Sequence, residues 1–311
     1  MRLQLTLLFL ALVGACSAPG GTSSASTKDR EAARGVRANE LAPEKSELLK
    51  AYARGGPEWT RARESALADP ALSKFLVDNL VLELVRAHRA LGGADQSRAL
   101  RAYRRALEEL VSMPELSTPV LVTLLEVADP VGATVAGVVL EEIGRPAVEP
   151  VSALLVADDV EPRRRSADLL GRLPHAGSHE ARVRALMVER FGVEPDWLAR
   201  TALARAIGLR GSRDSDVIPW RQALQAGLLD SDPAVAQAAT EGLIALGDER
   251  AIPVLIDVLE RSARAGDYPR FQGAQRALVQ LSRAGEQESV DAWRAWWAKR
   301  EAALANRPKK P

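Results

Sequence analysis

The chain has 311 residues, 47% of them hydrophobic but only 4% aromatic. Lys and Arg number 42 against 41 Asp and Glu, and the resulting formal net charge of +1 excludes a global field that would steer nucleic acid or an acidic partner. A single cysteine excludes a disulfide framework within the chain and any zinc or iron–sulfur site built from several cysteines. Long runs of Ala, Leu, Val, Arg and Glu, with no apolar–polar alternation, favour helix throughout.

The N-terminus carries Arg2, an apolar run from Leu3 to Val13, and then Gly14-Ala15-Cys16. That is the layout of an export signal: a charged start, a hydrophobic centre and a small-residue cleavage site. The run is about half of the roughly 20 apolar residues that a spanning helix needs, so an uncleaved membrane anchor is the weaker reading. Leu12-Val13-Gly14-Ala15-Cys16 resembles a bacterial lipobox. The resemblance implies cleavage after residue 15, lipid on Cys16 and attachment to a membrane; Ser17 after the cysteine resembles lipoproteins sent to an outer membrane where the host has one. An ordinary secretory signal is the alternative. Lipid on the only cysteine leaves no thiol nucleophile in the remainder of the chain.

Residues 16–43 are rich in Gly, Ser, Ala and Thr without an apolar period and read as a flexible tether. An N-terminal helical segment occupies residues 44–113. Its predicted helices run from Pro57 to Ala68, from Pro70 to Leu91, where Gly92-Gly93 stops the pattern, and from Ala94 to Val111. This segment shows no repeat signature. It is either a divergent start of a repeat array or a separate helical cap.

Self-similarity begins near residue 114 and continues to 305. The turn-opening positions Asp129, Asp159, Glu194, Asp232 and Asp267 stand 30, 35, 38 and 35 residues apart, the mark of a helical repeat array. Just before it, Pro119 could open a short helix, with Val120–Val127 as the second half of an earlier degenerate unit. Val131–Leu140 is nearly all apolar but is bounded by Glu126, Asp129, Glu141 and Glu142 at about ten residues, which predicts a buried helix rather than a membrane span. The clearest unit is Ser231–Glu260. Asp232-Pro233 opens a helix with Val235, Ala239, Leu243 and Leu246 on one face, Gly247-Asp248 breaks it, and Ile252, Leu255, Ile256 and Leu259 form the stripe of a second helix. Two helices this short cannot bury both stripes alone, so each pair needs neighbours on either side. With its Asp-Pro opening, small-residue first helix, Leu-Gly-Asp turn and Ala-Ile-Pro-x-Leu second helix, the unit closely resembles a HEAT repeat of the bacterial HEAT-like type. The resemblance implies an all-α, right-handed α-solenoid preceded by an N-terminal helical segment, with second helices forming a concave wall.

Three features are candidates for chemistry. His179-Glu180 is similar to the dipeptides by which HEAT-like deoxyhypusine hydroxylases hold di-iron, but that family needs several and this chain has one. His175 and His179 stand four apart, a ligand spacing on a helix, yet Pro174 and Gly177 predict a loop and solvated histidines. Bilin lyases also carry HEAT-like repeats, so an enzyme or enzyme subunit of that kind is the alternative function, as is a purely structural envelope component. No phosphate loop, nucleophile elbow or H-E-x-x-H helix is present, and neither an enzyme nor a cofactor is expected.

Between Glu161 and Arg221, twelve arginines face eight acids, a local excess of about four charges. Arg182, Arg184 and Arg221 are therefore candidate partner-binding residues, with solvated faces and internal ion pairs as the alternative; nucleic acid is not an expected partner of an exported chain. Near the C-terminus, Trp293, Trp296 and Trp297 share one helical face. They are the other candidates for partner binding, although the last repeat also needs a large apolar cap, with Leu278 and Leu281 as its floor. Residues 306–311 should be disordered. The whole reads as a lipid-anchored, extracytoplasmic scaffold in the cell envelope that binds a protein or peptide.

Overall fold

The computed structural model describes residues 42–127 and 129–305. The export signal, Cys16, nearly all of the tether and the tail at 306–311 lie outside the described residues. The regular structure of the described residues is all helical, and they divide into two compact units, one up to residue 82 and one from residue 83.

The first unit contains α1 (Pro43–Arg54), α2 (Gly56–Ala68) and the opening turns of α3 (Pro70–Ala90). Gly55 and Gly56, both at positive φ, let α1 fold directly back on α2. Leu48, Tyr52, Trp59 and Ala66 are buried, with the Tyr52 and Trp59 rings edge to face at 5.0 Å. The Lys45 ammonium lies 5.0 Å from the Phe75 ring.

The second unit is the repeat array. Its helices are α4 (Gln96–Val111), α5 (Pro114–Glu126), α6 (Pro130–Ile143), α7 (Arg145–Ser152), α8 (Val160–Arg172), α9 (Glu180–Val193), α10 (Trp197–Gly211), α11 (Ile218–Gly227), α12 (Pro233–Leu246), α13 (Ile252–Ala265), α14 (Tyr268–Ser282) and α15 (Val290–Ala305). The even-numbered helices stack one on the next from α4 to α14. Among the odd-numbered ones, α5 lies on α7, α7 on α9, α9 on α11, and α13 on α15. This is a two-layer helical-repeat solenoid. It starts earlier than the sequence pattern indicates: α4 lies on α6 and α5 on α7, so α4 and α5 make a pair and the expected boundary at 113/114 falls between its two members.

The apolar stripes read from the sequence are the core. Val235, Ala239, Leu243, Ile252, Leu255, Ile256 and Leu259 are all buried, each Leu or Ile contributing roughly 1.5–3 kcal/mol by leaving water. The run at Val131–Leu140 is likewise interior, with Val135, Ala136, Val139 and Leu140 fully buried, and no described helix is long and apolar enough to cross a membrane.

Four of the helix openings share one device, which Asp159 before α8 does not use. Asp129, Asp196, Asp232 and Asp267 each accept a hydrogen bond from a first-turn backbone N–H of the helix they precede, as N-caps do. The third turn-opening position is thus Asp196 and not Glu194, whose carboxylate is buried elsewhere. One proline position also differs from expectation. α5 runs straight through Pro119 from Pro114, so Pro119 is interior and leaves one helix bond unmade rather than starting a helix. α7 likewise holds an internal proline, Pro150, and is followed by a tighter 3₁₀ turn at Ala153–Val156.

The even-numbered row is drawn together by small residues. A Cβ at Gly171 in α8 would lie 3.0 Å from the Ala206 Cα of α10, and one at Gly208 in α10 would run into the Gly242 backbone of α12, its carbonyl oxygen only 2.7 Å away. Backbones pack directly here, which is why these helices are so rich in Ala and Gly.

Candidate functional site

Close stacking places the ends of neighbouring helices within reach of long side chains, and arginines fill that space. Arg163 at the start of α8 donates to both carboxylate oxygens of Glu194 at 2.8 and 2.9 Å, and to the carbonyls of Ala157 and Asp158. Arg200 does the same one repeat later, gripping Asp230 at 2.9 and 3.1 Å and the Glu194 and Pro195 carbonyls. Arg270 extends the series to the Asp230 carbonyl. Arg163 and Arg200 thus fasten a helix start to the turn before the next repeat, and Arg270 reaches back to the turn that opens the preceding one.

A second series crosses the other end of the pairs. Arg210, fully buried, pairs with Glu180 at 2.7 and 2.6 Å and caps the C-terminus of α8 through the Leu170, Leu173 and Pro174 carbonyls. Arg184 bonds Asp214 at 2.8 Å, whose carboxylate also accepts from the Trp220 indole, and Arg221 bonds Asp248.

These contacts shift the acids involved. Burial opposes charge on Glu194, but bonds from Arg163, the Asp196 N–H and Arg190 outweigh it and hold the carboxyl below the usual range. Burial likewise opposes charge on Asp214, outweighed by the Trp220 and Asp216 N–H groups and Arg184, and on Asp230, outweighed by Arg200 and the Asp232 N–H. Because the folded values lie below the unfolded ones, the stabilisation is present above the ordinary carboxylate pKa and is lost as pH falls through the depressed values.

The predicted partner-binding arginines therefore separate. Arg184 and Arg221, with side chains only 16% and 13% exposed, are structural ion-pair members and are not displayed to solvent. Arg182 alone is on the surface, 80% exposed and 3.3 Å from Glu149, a contact of little strength. Of the twelve arginines between Glu161 and Arg221, eleven have a carboxylate within ion-pair distance. Their partners include Glu141, Glu149, Asp230, Glu241 and Asp248, which lie outside that window. The local excess of charge in the sequence is thus neutralised by neighbouring repeats.

The tryptophan triplet separates too. α15 packs mainly on α13, held by Arg294 to Glu260 at 2.5 Å and Arg300 to Glu249 at 2.9 Å. Trp293 is 1% exposed, while Trp296 and Trp297 are half-buried; the Trp293 and Trp296 rings meet edge to face at 6.1 Å. Of the expected floor, Leu278 is buried and Leu281 half-buried. Trp293→Ala should lower stability by about 3–5 kcal/mol, as emptying a large aromatic site does, and Trp297→Ala, which empties a half-buried position, by less. Thermal melts of the two variants, with loss of a blue-shifted emission component only in the first, check this.

The histidines converge on nothing. The His175 Nδ1 is 4.0 Å from Glu180 and the His179 Nδ1 3.9 Å from Glu149, and Glu180 is already occupied by Arg210. Among the described residues no group of three or more His, Cys, Asp and Glu is placed to hold a metal. What the surface does offer is periodic: Val156, Val193 and Leu229, one per repeat and three residues before Asp159, Asp196 and Asp232, are all more than half exposed.

A match to a family of known proteins agrees with this architecture. Residues 185–267 match a family described as HEAT repeats, so the chain carries HEAT-like repeats over its best-stacked part. No curated protein matches the sequence. Among solved structures, an engineered protein from the Northeast Structural Genomics Consortium is similar at 19% identity and a TM-score of 0.41, over 66% of this chain and 99% of that one. A Kap121p mutant is similar at 12% identity and 0.43, over 81% of this chain and 29% of its own. A chain of the Kap95:Nup1 complex is similar at 15% and 0.46, over 86% and 34%. This chain spans about a third of the length of the latter two.

Proposed function

We propose that the protein is a non-catalytic scaffold that binds another protein or peptide through its repeat array, held at an extracytoplasmic membrane surface of the cell envelope by lipid on Cys16. The observation that supports binding is the internal use of charge. Arginines lock consecutive repeats together, so the array is a braced frame whose outer helix faces are left to meet a partner. A photo-crosslinking residue at Gln222, exposed on α11, should give a discrete protein adduct in membrane preparations. An array that yields no adduct from this or any other exposed helix position would overturn the reading.

Anchoring rests on the motif at Leu12–Cys16. Several acyl chains, at roughly 0.8 kcal/mol per buried CH₂, hold a protein on a bilayer stably. Cys16→Ser should abolish incorporation of radiolabelled palmitate and release the protein from the membrane fraction or leave it unprocessed, since a serine hydroxyl cannot form the thioether. Equal labelling of both forms would refute the anchor.

A further inference from the structure

The even-numbered row is tightly closed from α8 to α12 and opens between α12 and α14. Where Gly171 and Gly208 meet the next backbone, Gly273 of α14 is free: a Cβ there would touch only the Thr240 Cγ2, at 3.9 Å. The result is a groove of about 540 Å³ between residues 233–240 and 267–276. One substitution in the repeat pattern accounts for its depth. α8 and α10 carry Arg163 and Arg200 four residues after their opening aspartates, whereas α12 carries Ala236 at that position. The guanidinium that bridges repeats elsewhere is supplied here from the far side, by Arg270 reaching the Asp230 carbonyl at 3.0 Å.

The charges lining the groove do not cancel. Asp267 accepts from the Arg270 N–H and stands 3.5 Å from its guanidinium, so that pair is satisfied. Glu241, beyond the groove, accepts from the Gln237 amide and lies 4.0 Å from Arg205. Arg276 is exposed, lines the groove and makes no hydrogen bond or ion pair among the described residues, in a protein whose central arginines are almost all paired. Gln272, beside it, offers an amide that matches a peptide main chain. The lined length of α12, seven residue steps at 1.5 Å, is about 10 Å and accommodates about three residues of extended chain at 3.3 Å each.

We propose that the groove between α12 and α14 docks an extended acidic segment of the partner protein, with a carboxylate of that segment paired to Arg276. The proposal rests on the scaffold reading and gives it a place and a chemistry: a basic segment is repelled, a neutral one lacks the charge-assisted bond, and an acidic one gains both charge and fit.

A fluorescein-labelled hexapeptide of alternating Ala and Glu, titrated by anisotropy, tests it against the same peptide with Lys or Gln in place of Glu. The acidic peptide alone should bind saturably, and more weakly as salt rises. Arg276→Ala should weaken binding by about tenfold or more, with Arg276→Lys recovering part of it, since a point charge replaces a fork. Gly273→Leu should abolish binding by filling the groove, whereas Arg250→Ala, an exposed arginine elsewhere, should leave it unchanged. Neither groove variant should lower the melting temperature, because neither position packs into the core, and Gly273→Leu, which replaces a helix-interior glycine, should raise it slightly. Failure of the acidic peptide to bind, equal binding of the basic peptide, or binding indifferent to Arg276→Ala and Gly273→Leu would each overturn the proposal, as would binding of anionic vesicles, but not of the peptide, that is lost in Arg276→Ala. A photo-crosslinker at Gln272 separates the two levels. An adduct from Gln222 without one from Gln272 sinks the groove and leaves the scaffold standing; adducts from no exposed position sink both.

Discussion

Gly208→Ala is expected to destabilise the protein by about 3 kcal/mol or more, the upper part of the range for overpacking a core, although the same change in an open helix is stabilising. Two terms oppose each other. Removing a glycine from a helix interior favours the fold by roughly 0.5–1 kcal/mol. Against that, the new methyl would overlap the Gly242 Cα and sit 2.7 Å from its carbonyl oxygen. These are backbone atoms and cannot rotate aside, so α10 and α12 must separate, and the contacts of the two best-stacked helices loosen together. Gly192 supplies the control. It lies exposed in α9 with nothing within 4 Å of the position a methyl would take, so Gly192→Ala should stabilise by about 0.5–1 kcal/mol. Opposite signs for the two substitutions, read from denaturant or thermal melts by circular dichroism, establish the close approach; the same sign for both would disprove it.

The helices were legible because their apolar residues recur every three to four positions and their openings carry Asp, Pro or both. The stripe of α12 at Val235, Ala239 and Leu243 is buried as its spacing implies. What the pattern hid is tertiary. α4 and α5 lack the Asp-Pro and Leu-Gly-Asp marks, so their membership of the array shows only in their packing. Glu194, next to Pro195, has the local look of a turn opener, and nothing nearby reveals that it is drawn inward by Arg163. Counting charge between Glu161 and Arg221 suggested a basic surface because the acids that pair with those arginines lie a repeat away. A signal was nevertheless present. Arg163 and Glu194, Glu180 and Arg210, Arg184 and Asp214, and Arg200 and Asp230 are opposite charges 30 or 31 residues apart, a little short of the 36 or 37 residues between the opening aspartates, so that each pair joins neighbouring repeats. Opposite charges at that fixed offset mark a ladder between neighbouring repeats.

Arg210→Met should destabilise by about 3–5 kcal/mol, the range for removing one partner of a buried ion pair. The side chain is fully buried and satisfies five acceptors: both oxygens of Glu180 and the carbonyls of Leu170, Leu173 and Pro174. Methionine has similar length and fills the space, so the loss is electrostatic and not a cavity. It leaves the Glu180 carboxylate with the Ala176 N–H as its remaining hydrogen-bond partner and the His175 ring 4.0 Å away, and uncaps the last carbonyls of α8. Arg210→Lys should recover only part of the loss, because one ammonium cannot replace a planar fork that spans two helix ends. The informative variant is the double one. If most of the cost is the stranded carboxylate, Arg210→Met combined with Glu180→Gln will be more stable than Arg210→Met alone, because the neutral amide is less costly to bury. If instead most of the cost is the uncapped helix end, the second substitution will bring no recovery, since those carbonyls remain without a donor in either protein. Urea melts of the four proteins in the cycle decide between them. Wild-type stability in Arg210→Met itself would show that the buried pair contributes nothing to holding α8, α9 and α10 together.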